Sequence, residues 1–242
     1  RESRDVTVRW MALLALATIA IAGAGAPAEA EFALDAYVGP AWTRPADVRA
    51  GGRDDTGNTI DATIFDIKSN TGVAAGLRTG YWIDPLPYVG LGMDLFVFTI
   101  PIPAQTASAT GTLNSEIFGK PISINGSGQA QVPAVTLPAL GFSPDLRLRW
   151  PILTSKAYPQ GILQPYVTAG PAWALTLTSD QIDVRLGGKI GAGLSVNLIQ
   201  WVALFAEYRY TFFPGFAFSH EHVGYKTDIK NNAVVFGVSL RF

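Results

Sequence analysis

The last twelve residues, NNAVVFGVSLRF, constrain this chain more than any other stretch. Val234, Phe236, Val238, Leu240 and Phe242 are apolar at every second position. Val235, Gly237, Ser239 and Arg241 lie between them and are mostly small or polar. A two-residue period puts one set on each face of a β-strand. The apolar face carries no polar residue to break it. Such a face is costly in water, whereas a strand whose outer face meets hydrocarbon retains it.

Composition points the same way. Charged residues make up 15% of the chain, below the roughly 25% usual for soluble domains. Apart from one N-terminal run, no apolar stretch approaches the roughly 18 residues of a spanning helix. A membrane barrel combines these properties, because only alternate residues of each strand need be apolar. The chain has no Cys, which excludes a disulfide framework and a thiolate metal site. A net charge of −1 offers no basic patch for nucleic acid, and no cofactor is expected.

Residues 1–30 read as a signal peptide. Arg1, Arg4 and Arg9 precede an apolar run from Trp10 to Ala26, and Ala28-Glu29-Ala30 fits small-x-small cleavage. The h-region is short for a membrane anchor. The barrel domain is then 31–242, with Glu31 first in the mature chain.

That domain divides into eight candidate strands of about ten residues, near the length a tilted membrane strand needs. They are 32–43, 71–83, 88–99, 137–150, 164–177, 183–196, 202–213 and 231–242. Tight turns at 84–87 and 197–201, and a longer one at 151–163, alternate with long polar loops at 44–70, 100–136 and 214–230. Only the connection at 178–182 is short where a long one is due. Short periplasmic turns and long external loops characterise barrels of the outer membrane. The expected fold is therefore all-β, an eight-stranded antiparallel up-and-down transmembrane β-barrel, with both termini periplasmic. Tyr37-Val38-Gly39-Pro40-Ala41-Trp42 recurs as Tyr166-Val167-Thr168-Ala169-Gly170-Pro171-Ala172-Trp173, opening each set of four strands. The prolines within these segments predict local bulges.

Period-two reading collects Asp35, Arg78, Asp94, Asp145, Arg147, Arg149, Lys189, Glu207, Arg209 and Arg241 on one face, together with many glycines. The opposite face carries Leu77, Leu91, Leu95, Leu146, Ile190, Leu194, Tyr208 and Val238. Eight strands leave an interior that side chains can fill. Two readings stand, a conduction path gated by ion pairs or a plug of salt bridges. The cost of unpaired buried charge favours the plug. Glu207 and Arg209 are expected to pair across the lumen with Arg241, Lys189 or acids of other strands. Aromatics near strand ends (Trp82, Tyr88, Trp150, Trp201, Phe212, Phe213 and Phe242) suggest interfacial girdles.

The two histidines, His220 and His222, flank Glu221 in SHEH. Spacing fixes no third ligand, so no metal site is assigned. Ser219 and His220 are strand neighbours pointing to opposite faces, which argues against a dyad. No catalytic residue is assigned and no enzyme activity is expected; a lipid-modifying enzyme is the least favoured alternative.

Phe205-Ala206-Glu207-Tyr208-Arg209-Tyr210-Thr211 (FAEYRYT), residues 225–230 followed by the closing strand, and Gly170-Pro171-Ala172-Trp173 carry a resemblance. The chain resembles the small outer-membrane β-barrels that include the OmpA transmembrane domain, OmpX-type proteins and opacity-type surface antigens. This resemblance implies a bacterial outer-membrane location in a Gram-negative-type envelope. It implies a structural or surface-interaction role, with small-solute conduction as the alternative. The implied partners are outer-membrane lipid, the barrel-assembly machinery, for which Phe242 is the signal, and an extracellular ligand or host surface met through the loops. Asn125-Gly126 in the long 100–136 loop predicts a hairpin turn above the membrane.

Overall fold

The computed structural model describes residues 31–53, 59–83, 86–117, 120–177, 182–220 and 223–242. The expected leader, 1–30, lies outside them. Twelve strands are described. The first six are β1 (Glu31–Thr43), β2 (Ala46–Arg53), β3 (Thr59–Ile67), β4 (Gly72–Trp82), β5 (Val89–Ile102) and β6 (Gln105–Ile117). The second six are β7 (Lys120–Val132), β8 (Val135–Arg149), β9 (Leu163–Leu177), β10 (Ile182–Ile199), β11 (Val202–His220) and β12 (Val223–Arg241).

Eight of them close a ring in the order β1-β4-β5-β8-β9-β10-β11-β12, and β12 pairs back onto β1. Every pairing is antiparallel, so the ring is an up-and-down barrel. Closure leaves no edge among the ring strands, which is what a strand needs where no water can satisfy its backbone. Inward and outward side chains alternate as the sequence period requires. On β5, Leu91, Met93, Leu95 and Val97 are exposed, while Asp94, Phe96 and Phe98 are buried. On β12, Phe236 and Val238 are exposed, while Val235, Ser239 and Arg241 are buried. The surface is apolar and the interior carries the charge.

The apolar belt has visible limits. On β11 the outward face is apolar from Leu204 to Phe212, close to the roughly 9–11 residues of a tilted membrane strand. Phe212 pairs with Lys230 of β12, whose ammonium lies 5.9 Å from the Phe212 ring centroid. Beyond this point the outward residues of β12 are Asp228 and Lys226, both exposed. At the end holding Glu31 and Phe242, Tyr88, Trp150, Trp201 and Phe242 are exposed around the rim. Trp82 and Phe213, expected in such girdles, point inward instead and are buried. Trp82 shares strand parity with Arg78, and its ring stacks under the Arg149 guanidinium at 3.9 Å. Phe213 stacks on Phe98 inside the barrel, with ring centroids 6.4 Å apart.

The long loops differ from expectation. The segments 44–70 and 100–136 hold β2, β3, β6 and β7, and much of 214–230 extends β11 and β12 beyond the belt. Past Lys230, β12 exchanges its neighbour β1 for β2, and β2, β3, β6 and β7 continue the sheet away from the barrel. The predicted Asn125-Gly126 turn is not a turn. Both residues lie within β7, opposite Thr112 and Gly111, and the chain reverses between Ile117 and Lys120. Register there follows the alternating hydroxyl and amide residues, as in the 2.7 Å bond from Thr112 Oγ1 to Asn125 Oδ1.

The predicted bulges at Pro40 and Pro171 are likewise absent. On β1, Val38 and Ala41 face Phe236 and Ala233 in one unshifted register. On β9, the register with β8 is the same on both sides of Pro144 and Pro171. Proline removes a donor from the ladder without inserting a residue. Ser143 Oγ takes up the released carbonyl, donating to Pro171 O at 2.8 Å.

Candidate functional site in the barrel lumen

All ten charged residues collected on the polar face project into the barrel, and none is more than 7% exposed. Their ion pairs form a connected network of eight of them, with Arg149 and Arg241 in a separate triad around Glu31. Arg78 Nε donates to Asp35 at 2.9 Å, and Arg78 Nη1 to Glu207 at 2.6 Å. Arg209 reaches Glu207 at 2.8 Å on its own strand and Asp94 at 3.1 Å across the lumen. Lys189 is held between Asp94 and Asp145, the latter at 2.6 Å. Toward the rim, Arg147 meets Asp35 at 3.4 Å. Arg149 and Arg241 share Glu31, at 2.6 and 3.3 Å. Lys189 and Arg241, offered by parity as partners for Glu207 and Arg209, thus pair elsewhere.

The arrangement follows the internal repeat. β1 and β9 each open a run of four adjacent ring strands and stand on opposite walls. The repeated tyrosine of each points inward and donates to the acid two strands along. Tyr37 Oη donates to Asp94 at 2.7 Å, and Tyr166 Oη to Glu207 at 2.9 Å. The second strand of each run carries the cation that crosses to the acid of the other run. Arg78 of β4 crosses to Glu207 of β11, and Lys189 of β10 crosses to Asp94 of β5. Each tyrosine also faces a glycine on the second strand, Gly76 for Tyr37 and Gly193 for Tyr166. A Cβ at Gly76 would come within 2.3 Å of Tyr37 Oη, so a side chain there displaces the phenol.

Several members of this site carry no signal in a charge census. Tyr37 shares the parity of Asp35 on β1, and Tyr166 that of Gln164 and Thr168 on β9, yet a tyrosine in a membrane strand reads equally as interfacial. Glu31 sits at the start of β1 and bridges two arginines. Above the charges lies an apolar layer that includes Phe96, Phe98, Ile100, Phe213, Phe216 and Ile229. Continuing the parity of Asp94 along β5 to Phe96, Phe98 and Ile100 would have found it. The lumen is therefore filled in two layers, ionic toward the end holding Glu31 and Phe242 and aromatic toward the far end.

The SHEH segment falls for the most part outside the described residues. His220 ends β11, and its side chain, with Glu221 and His222, lies outside the described residues. Asp228 instead accepts a 2.8 Å bond from the backbone N–H of Gly215 and caps the irregular stretch after Phe213.

A closed antiparallel barrel of eight strands, apolar outside and charged within, is a transmembrane β-barrel of the outer-membrane type. No family model matches the chain, and no curated protein matches it in sequence. Among solved structures it is similar to Neisserial surface protein A, with 13% identity over 87% of this chain and 97% of that one, at a TM-score of 0.45. It is similar to the outer membrane protein OprG of Pseudomonas aeruginosa, with 11% identity over 88% and 95% of the two chains, at a TM-score of 0.44. The outer membrane protein AlkL shares 14% identity over 90% and 93%, at a TM-score of 0.41. Likeness at this level carries no functional argument.

Proposed function

We propose that this protein is a surface protein of the bacterial outer membrane, in which the barrel is an anchor and the strands beyond the belt meet an extracellular ligand or host surface. The filled lumen carries this reading. Arg78 and Lys189 each bridge strands three places apart around the ring, and the aromatic layer lies above them. A small-solute pore needs a path that these side chains occupy. The platform supplies a surface instead, since the exposed faces of β6 and β7 present Thr106, Ser108, Thr110, Asn125, Ser127 and Gln129. In this reading both termini are periplasmic, 1–30 is a cleaved leader, and Phe242, 74% exposed at the rim, is the assembly signal.

Absence of cysteine gives the test a clean background. Ser127→Cys should react with a membrane-impermeant maleimide on intact cells, while Gln200→Cys in the opposite turn should react only after lysis. The reverse pattern would place the platform in the periplasm and end the surface reading. Sequencing the N-terminus of membrane-isolated protein should begin at Glu31.

A further inference from the structure

The ionic layer is unbalanced toward the rim. Arg78, Arg147, Arg149 and Arg241 gather there around two carboxylates, Asp35 and Glu31. Assigning Glu207 wholly to Arg78 still leaves one positive charge in excess. A cavity of about 10 Å³ opens among these residues, lined by the four arginines with Ser195 and Ser239. That is room for one small species, a water molecule or a monatomic ion, and not for a polyatomic anion. The lining is rich in unused donors. Arg147 Nε and Nη1, Arg241 Nε and Arg78 Nη2 are buried and have no hydrogen-bond partner among the described residues. One acceptor in the lining, Asp35 Oδ1, shares that condition. Arg147 is only 6% exposed and Arg241 only 7%, so bulk water does not serve them.

We propose that this cavity binds a small monovalent anion of the chloride class. Buried donors left unpaired are costly, more so on charged groups. A water molecule can donate to Asp35 Oδ1, but it accepts from two donors at most, fewer than the four left unpaired here. A halide accepts from all directions, donates to none, and cancels the excess charge. The hydroxyl of Ser195 already accepts from Arg241 Nη2 at 2.9 Å, which leaves its own proton free to point at an anion. Sulfate and phosphate are excluded by volume. The site is a structural element of the lumen and does not depend on whether the far-end platform binds a partner.

Reversible urea unfolding of the full chain in lipid vesicles tests the proposal. Chloride is exchanged for gluconate at constant ionic strength. A ligand bound only to the folded state lowers the unfolding constant about tenfold for each tenfold rise in its concentration above half-saturation. Chloride and bromide should both do this, sulfate should not, and Arg147→Gln should remove the dependence. Crystals grown in bromide should show an anomalous peak between Arg147 and Arg241. The wild-type measurements decide the matter if Arg147→Gln fails to insert. Unfolding that is indifferent to the anion at fixed ionic strength overturns the proposal. So does an anomalous peak without any effect in solution, which would be binding at crystal concentration only.

Discussion

Glu207 shows how the lumen is held together at the residue scale. Its carboxylate accepts from Arg78, Arg209 and Tyr166, three groups from three strands. Removing its charge leaves two guanidinium groups short of a partner in a water-poor interior. Glu207→Gln should therefore destabilise the barrel by roughly 3–5 kcal/mol in urea titrations. Arg78→Met should cost a similar amount, and the double variant should lose less than the two singles combined, by about 0.5–3 kcal/mol. Additive losses would mean the two residues act independently. A second residue-scale device is the pairing of a ring with a glycine on the adjacent strand. Phe96 lies opposite Gly141, and a Cβ there would sit 2.3 Å from the ring. Gly141→Val should cost about 1–3 kcal/mol by overpacking. Phe96→Ala should absorb part of that loss when the two are combined, and a double variant worse than both singles together would show that the clash is not with Phe96. The charged residues themselves were legible from parity, because a charge in an otherwise apolar strand can only face inward. Their partners were not, because strand parity gives a face and not a distance across the ring.

At the scale of the elements, the ring was legible and the platform was not. Alternation of Leu91, Met93, Leu95 and Val97 with Asp94 and Phe96 names β5 directly, and the same pattern names the other ring strands. β6 and β7 have no such contrast. Thr106, Ser108, Thr110 and Thr112 alternate with Ala and Gly, and that sequence reads as polar loop. These strands are held by backbone pairing and by bonds such as Thr112 to Asn125, which no apolar period announces. The platform should accordingly be separable from the barrel. Ile102 and Val135 are directly paired where β5 and β8 leave the ring. Replacing 103–134 with Asn-Gly, which suits a two-residue hairpin, should leave a chain that still inserts. Its unheated form should keep the faster gel migration of a folded barrel, and its urea midpoint should move less than that of Glu207→Gln. Failure to insert would show that β6 and β7 are needed to close the ring.

The whole molecule is a tube closed twice, and the two closures differ in kind. The ionic layer shuts the lumen because Arg78 and Lys189 span it from opposite sides. The aromatic layer shuts it because Phe96, Phe98 and Phe213 form a continuous stack, with successive centroids 6.3 and 6.4 Å apart. An ion crossing the first layer must break salt bridges, and crossing the second it must shed water against hydrocarbon. Neither barrier depends on the other, so opening one leaves the tube shut. The wild type in planar bilayers should show no steady conductance. Glu207→Gln with Arg78→Met should stay silent, since the phenylalanines remain in place. Phe98→Ala with Phe213→Ala should also stay silent, because Lys189 still joins Asp94 to Asp145 beneath the hole. Only these four changes combined with Lys189→Met, which removes the remaining bridge to Asp94 and Asp145, should give a lasting current. Conductance from the charge variant alone would make the ion pairs a gate and the aromatic layer permeable. A steady current through the wild type would remove the plug altogether and return the barrel to the pores.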